Sequence, residues 1–423
     1  MAAKGTTRRH SFSSSAASTT SSCLAASLCL ASLLIIVLLF SAARPTVLPK
    51  YYRTAPQFDG RHDSSPARLE NRLSCNYSDG AWVLDPDPIA PRYDHTCKEI
   101  FKGWNCIANQ KTNGRDLLRW RWQPSHCGLA RLDPLRFLRR FRNSNIGFVG
   151  DSLNRNMFVS LVCMLRSVSS EVRKWRPAGA DRGFTFLDYN LTIVYHRTNL
   201  LVRYGSWSAS DPGGALESLG YKQGYRVDVD VPEHTWADAP GFHHILIFNT
   251  GHWWWAPSKF DPVKSPMLFF EKGSPILPPI TPEVGIDVAL KNMVSYVEKT
   301  ASIGATKFFR TQSPRHFEGG DWNEGGSCRL KKPLQSNEVE EFFSVEKNAT
   351  NAEVRVINKH LYKSLQGSSF RILDITRMSE FRADAHPSTT GGKKHEDCMH
   401  WCLPGLTDTW NDILMTSLED AGS

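Results

Sequence analysis

Short apolar runs alternate with amphipathic segments over most of the chain, and this alternation constrains the fold more than any other sequence feature. The run at 146–150 (IGFVG) predicts a buried strand, and similar runs stand at 244–249, 307–312 and 370–376. Each of the first three is followed by apolar residues at helical spacing, at 154–165, 284–299 and 351–365. This order predicts a three-layer α/β/α fold with a parallel sheet, in which a site lies at the carboxyl ends of the strands.

The N-terminal region contains one long apolar run. Residues 24–43 carry no charge, and a run of about 20 residues matches a bilayer core about 30 Å thick. A cleaved signal peptide and an uncleaved signal anchor both fit, but the run is longer than the usual apolar region of about 7–15 residues in a signal peptide. We therefore expect a cytosolic tail at 1–23, a transmembrane anchor at 24–43 and a stem rich in Pro, Arg, Asp and Ser at 44–72.

The cysteines support an exported body. Two of the ten lie in or beside the apolar run, and the other eight form an even set, which in an exported chain predicts four disulfides. Spacing alone does not determine their pairing. Four of the eight fall between Cys75 and Cys127, so we expect a disulfide-rich subdomain at 73–144 and an α/β domain at 145–423. Glycosylation sequons at Asn76, Asn190 and Asn348 agree with export.

The net charge and the tryptophan content indicate which class of ligand the protein binds. The formal net charge is +9, but five bases and no acid lie in the first 50 residues, which leaves only +4 for the rest. Because no clustered basic run accompanies this excess, we expect no nucleic-acid partner. The 13 tryptophans of an exported α/β protein favour a carbohydrate ligand instead, since indole rings stack on sugar faces.

Ser152 is the first candidate for chemistry. It belongs to the sequence Gly150-Asp151-Ser152, which follows a predicted strand and opens a predicted helix. A serine at such a bend exposes its hydroxyl and has its backbone N–H at the positive end of the helix, which suits a nucleophile and an oxyanion donor. An ordinary N-cap is the alternative, because Asp and Ser are favoured there.

A serine nucleophile needs a histidine base and an acid that orients it. Asp397 and His400 have a spacing that lets the carboxylate reach Nδ1 of the imidazole, whereas the similar pair Asp59 and His62 lies in the stem without packed surroundings. A zinc site is the alternative at this segment, but cysteines of an exported chain favour disulfides, so we expect no metal. The possible ligands would be His395, Asp397, Cys398, His400 and Cys402.

Polar and aromatic residues also follow the second and third predicted strands. Asn249 would stand at the carboxyl edge of the sheet, where its amide could be a second oxyanion donor. The tryptophans after it could stack on a sugar or simply pack in the core, and the polar segment 310–316 at the end of the third predicted strand could line a groove or be solvated. The tentative groove residues are His252, Trp253, Trp254, Arg310 and His316.

Four segments together resemble a known family. GDSLNRN (150–156), DCMHWCLPG (397–405), CNYSDGAWV (75–83) and LRWRWQPSHC (118–127) are similar to those of the plant trichome birefringence-like proteins, polysaccharide O-acetyltransferases related to the GDSL/SGNH esterases. The resemblance spans about 73–414. It implies an SGNH-hydrolase-like fold and a single-pass type II Golgi membrane protein with a lumenal catalytic domain.

The resemblance also implies roles for individual residues. Ser152 would be the nucleophile, and Asp397 and His400 would complete the triad. The implied disulfides are Cys75–Cys127, Cys97–Cys163, Cys106–Cys402 and Cys328–Cys398. Met157-Phe158 stands where the family often has Gln-Trp, so the acceptor polymer is not implied by the motif.

These observations predict a double displacement. His400 would take the Ser152 proton, an acetyl-serine would form, and a sugar hydroxyl would receive the acetyl group. The Ser152 N–H, with Asn249 or Arg155, would hold the oxyanion. We expect no bound cofactor, an acetyl donor supplied by Golgi membrane partners, and xylan as the acceptor. A polysaccharide acetyl esterase and a non-catalytic protein that bridges pectin and other wall polymers are the alternatives.

Overall fold

The computed structural model describes residues 75–86, 90–176, 182–210, 213–256 and 259–421. The predicted anchor at 24–43, the stem, and the pair Asp59 and His62 lie outside these residues. Within the described part, no helix combines the length and the apolar character needed to cross a membrane.

The described residues form thirteen strands and nine α-helices. The strands are β1 (Gly80–Leu84), β2 (Trp120–Pro124), β3 (Asn145–Gly150), β4 (Val172–Trp175), β5 (Arg182–Phe186), β6 (Leu191–Arg197), β7 (Val202–Ser208), β8 (Gln223–Pro232), β9 (Ile245–Phe248), β10 (Met267–Glu271), β11 (Ser274–Pro275), β12 (Thr306–Arg310) and β13 (Arg371–Leu373). The helices are α1 (Pro134–Arg140), α2 (Ser152–Arg166), α3 (Ala215–Ser218), α4 (Ala239–Phe242), α5 (Pro282–Thr300), α6 (Ser336–Phe343), α7 (Glu353–Leu365), α8 (Thr376–Glu380) and α9 (Leu406–Ala421).

A seven-stranded sheet forms the centre, in the order β13-β12-β9-β3-β6-β5-β4. Its first five strands are parallel, and they include β3, β9, β12 and β13, the four strands that the apolar runs predict. The predicted helices correspond to α2, α5 and α7. The carboxyl ends of the parallel strands therefore meet at one edge of this sheet, as expected.

The prediction of a parallel sheet holds for five strands, whereas the remaining strands make the sheets mixed. Strands β5 and β4 are antiparallel at one edge, and a second, mixed sheet has the order β11-β10-β8-β7. Strands such as β7 (VRYGSWS) and β4 (VRKW) mix exposed and half-buried residues and lack a continuous apolar run. A sequence search for fully buried strands misses them, because a strand that is solvated on one side keeps polar side chains.

Helices cover both faces of the central sheet. Phe148 and Phe308 pack in one core with α2 and α9, whereas their neighbours Val149 and Phe309 pack in a second core with α5 and α7. Successive strand residues point to opposite faces, so one strand serves both cores. The α/β/α layering of an SGNH-like fold is thus present, with mixed sheets in place of a purely parallel one.

The disulfide-rich region that begins at residue 75 packs on the side of the central sheet that α2 and α9 cover. Strands β1 and β2 pair antiparallel, and Trp104 and Trp122 belong to the same core as α2. The structure contains the four disulfides that the family resemblance implies, two of which join the N-terminal region to the rest: Cys97–Cys163 to α2 and Cys106–Cys402 to the C-terminal loop. The sequon residues Asn76, Asn190 and Asn348 are all exposed.

Candidate active site

The turn between β3 and α2 presents Ser152. Gly150 has φ +155°, and a Cβ there would lie 1.9 Å from Oδ1 of Asn249, so a side chain does not fit. Asp151 is the N-cap of α2, and its carboxylate accepts the backbone N–H of Leu153 at 2.9 Å. Ser152 is consequently the first residue of the helix, with its backbone N–H at the positive end of the helix dipole.

Asn249 holds this turn. Its Oδ1 accepts the Asp151 N–H at 3.2 Å, and its Nδ2 donates to Oδ1 of Asp151 at 2.9 Å. The side chain lies at the end of β9, where the sequence predicts it, but it is fully buried against Asp151. It therefore fixes the position of Ser152, while its role as an oxyanion donor stays a prediction.

The C-terminal loop brings His400 to Ser152. His400 Nε2 lies 2.8 Å from Ser152 Oγ, and Nδ1 lies 3.0 and 3.1 Å from the two carboxylate oxygens of Asp397. Asp397 Oδ1 also accepts the backbone N–H of His400 at 3.0 Å, which fixes the loop. The three residues that the sequence predicts for the triad thus form one hydrogen-bonded chain, although Ser152 and His400 are 248 positions apart in the sequence.

Charge around Asp397 keeps this carboxyl ionised. Burial alone would raise its pKa, but the adjacent His400 and the ammonium group of Lys393 hold the pKa well below its usual range. Lys393 forms an ion pair with Oδ2 of Asp397. An ionised Asp397 accepts the Nδ1–H of His400, so that Nε2 presents its lone pair to the Ser152 hydroxyl.

Asn156 anchors the residue next to His400. Its Oδ1 accepts the Trp401 N–H at 2.7 Å, its Nδ2 donates to the Trp401 carbonyl at 3.2 Å, and it is fully buried on α2. His386 adds a contact of 2.8 Å between its Nδ1 and the His400 carbonyl. Sequence reasoning missed both residues, although Asn156 lies within the GDSLNRN segment.

An indole ring covers the imidazole of His400. The rings of Trp104 and His400 are stacked with centroids 5.2 Å apart and an interplanar angle of 30°. The Trp104 carbonyl accepts the Leu403 N–H at 2.8 Å. The guanidinium of Arg155 lies 5.7 Å from the centre of the Trp104 ring. Trp104 comes from the N-terminal disulfide-rich region and was also missed from the sequence.

The structure does not form a metal site from the candidate residues. Cys398 and Cys402 are both in disulfides, and His395 is exposed. Within the described part of the chain, the group with suitable ligand spacing is Cys328, Glu396 and Cys398. Its two sulfurs are bonded to each other, so no thiolate is available to a metal.

Most of the tentative groove residues are buried, which corrects that prediction. Arg310 and His316 are fully enclosed, and Trp254 packs on Phe269 with its indole N–H on Thr250, so none of the three can line an open groove. Burial lowers the pKa of Arg310 to about 10 and that of His316 to about 4. Because Arg310 and His316 are polar, the sequence gave no indication that they are buried.

His252 and Trp253 are less completely enclosed than the other three. His252 is buried, with Nδ1 3.3 Å from Oδ2 of Asp151, and burial lowers its pKa to about 4. Trp253 is half-buried, and the ammonium of Lys259 lies 5.5 Å from the centre of its ring. Of the five groove candidates, Trp253 has the exposure that a sugar contact needs.

Comparison with known proteins agrees with this geometry. Residues 129–417 match the GDSL/SGNH-like acyl-esterase family found in Pmr5 and Cas1p, and residues 73–128 match the PMR5 N-terminal domain. The chain is 66% identical over 371 residues to trichome birefringence-like protein 13 of Arabidopsis thaliana, covering 88% of this chain and 90% of that one.

Two further Arabidopsis thaliana relatives are similar over most of their length. Identity to trichome birefringence-like protein 12 is 46% over 346 residues, covering 80% of this chain and 84% of the relative. Identity to trichome birefringence-like protein 20 is 32% over 370 residues, covering 82% and 73%. The family match spans well over half of the chain, and these relatives are matched over more than two thirds of it. The chain therefore belongs to the trichome birefringence-like family, with an acyl-esterase domain of the GDSL/SGNH type behind a PMR5 N-terminal domain.

Proposed function

We propose that this protein transfers acetyl groups from a donor to a cell-wall polysaccharide, with Ser152 as the nucleophile. The hydrogen-bonded chain from Ser152 through His400 to Asp397, at the carboxyl edge of a parallel sheet, carries the proposal. Membership of a GDSL/SGNH-like acyl-esterase family supports acyl transfer or ester hydrolysis as the chemistry.

In the first half-reaction the enzyme is acetylated. His400 Nε2 takes the Ser152 proton as Oγ attacks the acetyl carbonyl, and the imidazolium that forms is stabilised by ionised Asp397. Collapse of the tetrahedral intermediate breaks the bond to the leaving group, which receives the proton from His400. Acetyl-Ser152 and neutral His400 remain.

The oxyanion of each intermediate needs donors that are already in place. The Ser152 backbone N–H stands at the start of α2 and supplies one. Arg155 lies one turn further along the same helix, with its guanidinium beside Trp104, and we propose it as the second. Asn249 is the other candidate, through the amide that also binds Asp151.

In the second half-reaction a sugar hydroxyl replaces the donor. His400 takes the hydroxyl proton, the sugar oxygen attacks acetyl-Ser152, and Ser152 Oγ recovers the proton from His400. Water would carry out the same step in an esterase. Transfer therefore requires that the bound acceptor occupies the place of water, and half-buried Trp253 is our candidate for a sugar-stacking contact.

The proposal also includes the cellular compartment, the acetyl donor and the acceptor. The predicted anchor at 24–43 would hold the catalytic domain in the Golgi lumen, where the four disulfides persist. The proposed chemistry uses side chains and one backbone N–H of this chain, so a bound cofactor is not required, but an acetyl donor is. We propose Golgi membrane partners as its source and xylan as the acceptor to examine first.

The test is a reaction of the purified full-length protein with an acetyl donor and oligomers of xylan, mannan, xyloglucan and pectin, followed by mass spectrometry. We expect one acetyl group to be added to one class of oligomer by the wild type, and none by Ser152→Ala. Release of acetate from acetylated oligomers without transfer would favour the esterase. Oligomer binding that Ser152→Ala leaves intact, without chemistry in either protein, would favour the bridging function.

A further inference from the structure

We propose that Trp104 is a positioning residue that stabilises the protonated form of His400. The reaction in which this matters is the proposed acyl transfer, so the inference rests on that function for its kinetic consequence. The contact itself is independent of the substrate, and it gives the N-terminal domain a part in the catalytic centre.

The geometry is that of a ring stacked on a ring. The indole and imidazole centroids are 5.2 Å apart with 30° between the planes, and Trp104 is only 4% exposed. One face of the imidazole is thus covered by the indole, while its two nitrogens face Ser152 and Asp397 in the ring plane. Trp104 therefore leaves the proton path of His400 free.

The charge of His400 changes during each half-reaction, and the indole responds to this change. The face of an aromatic ring attracts a cation within about 6 Å of its centre, and indole does so most strongly. Neutral imidazole gains little from this attraction, whereas imidazolium gains all of it. The stack therefore favours the state in which His400 holds the proton, which is the state near each transition state.

Other charged and titratable groups also face His400, and they set the background for this effect. Asp397 stabilises the imidazolium, whereas the cations Lys393, which pairs with Asp397, and Arg155, which lies over the Trp104 ring, oppose it from one contact further away. His252 and His386 are buried, and burial lowers the pKa of each, so they add no positive charge at neutral pH. None of these side chains is itself substituted when Trp104 is replaced. Arg155 is the one that also contacts the indole, so the loss of that contact accompanies any shift in the titration of His400.

The fold holds the indole rigidly against the loop. Trp104 ends the 3-10 turn Lys102–Trp104, and its carbonyl accepts the Leu403 N–H. The disulfide Cys106–Cys402 joins the same two segments, two residues from Trp104 and one residue from Leu403. A Cβ at Gly103 would lie 2.7 Å from Cε of Lys393, so the turn also fits closely beside the partner of Asp397.

The experiment replaces the indole and follows the titration of His400. Trp104→Leu, Trp104→Phe and the control Trp122→Leu are made in the full-length protein. Trp122 is a buried tryptophan of the same domain whose indole N–H binds the Tyr77 carbonyl, and it has no contact with His400 among the described residues. Activity is read with a small acetyl ester as a function of pH.

For Trp104→Leu we expect the plateau of kcat/KM to fall about two- to thirty-fold, the range that a cation–π contact supplies. The acid limb of the pH profile should move to lower pH by about 0.4–1.5 units, because the imidazolium is less stable without the indole. Trp104→Phe should show a smaller change in the same direction. Trp122→Leu should lower thermal stability and leave the position of the limb unchanged.

A structural role alone would give a different result. If Trp104→Leu lowers the plateau without moving the acid limb, or moves it to higher pH, the inference is overturned. Proton NMR of the His400 ring, in Ser152→Ala with and without Trp104→Phe, measures the same shift without catalysis. If Ser152→Ala keeps full activity, the proposed function fails, while the NMR titration still decides whether Trp104 stabilises the imidazolium.

Discussion

Asn156→Ala should uncouple the catalytic loop from helix α2. The substitution removes the amide that binds both the N–H and the carbonyl of Trp401, at 2.7 and 3.2 Å, in a fully buried position. Each of the two buried backbone groups that lose their partner costs about 1–3 kcal/mol, so the free energy of unfolding should fall by about 2–6 kcal/mol. His400 is the residue before Trp401, and a displacement of about 1 Å lowers a rate by about a hundredfold.

The matched control for this variant is Asn411→Ala. Asn411 is also fully buried, and its Nδ2 donates to groups of α2 and α9, including the Met157 carbonyl at 3.2 Å and Ser160 Oγ at 3.0 Å. Its loss should destabilise the protein to a similar degree and leave His400 in place. Urea unfolding with the disulfides intact gives the stability, and acetyl transfer per folded molecule gives the rate. Equal activity in the two variants would refute the anchoring role of Asn156.

Three further predictions concern the triad, the cysteines and pH. His400→Ala should reduce activity nearly to the Ser152→Ala level, and the loss of activity in Asp397→Asn should be smaller by one or two powers of ten. Asp59→Asn and His62→Ala should have no effect on activity. Kinetic assays in which Asp59 or His62 proved essential would contradict the site. Thiol titration of the unfolded, unreduced lumenal domain, without Cys23 and Cys29, should find none of the eight cysteines from Cys75 to Cys402 free, and two or more free thiols would remove the covalent support of the loop. Burial holds the pKa of His196, His252 and His316 at about 4, below the value of about 6.5 in the unfolded chain, so the unfolded state binds more protons between these values. Stability measured by urea unfolding should therefore fall as the pH is lowered from about 6.5 to about 4, and constant stability over this range would show that these imidazoles are not buried as neutral groups.

The centre of the fold was predictable because its signals are local. A strand buried on both faces, such as β3 or β9, is a continuous apolar run, and the helix after it has its own period. The second sheet was not predictable in this way, because β7 and β8 mix exposed and buried residues along each strand. Their partners are fixed by tertiary packing and not by a local pattern.

The same distinction applies to the active site. Ser152, Asp397 and His400 stand in short patterns whose residue types are required by the chemistry. Trp104 and Asn156 act through contacts with a loop about 250 to 300 positions away, and no local pattern marks such a contact. Arg310 and His316 show the converse, since polar residues at and after the end of β12 suggested exposure, whereas the fold encloses both completely.

The central claim is that Ser152 carries the acetyl group between donor and polysaccharide, and mass spectrometry of the protein and acceptor in one reaction tests it most directly. After brief incubation with donor, peptide mapping of the full-length protein should find acetyl on Ser152. Addition of the acceptor oligomer should remove that acetyl group and place it on the sugar. An oligomer acetylated equally well by Ser152→Ala would contradict the account.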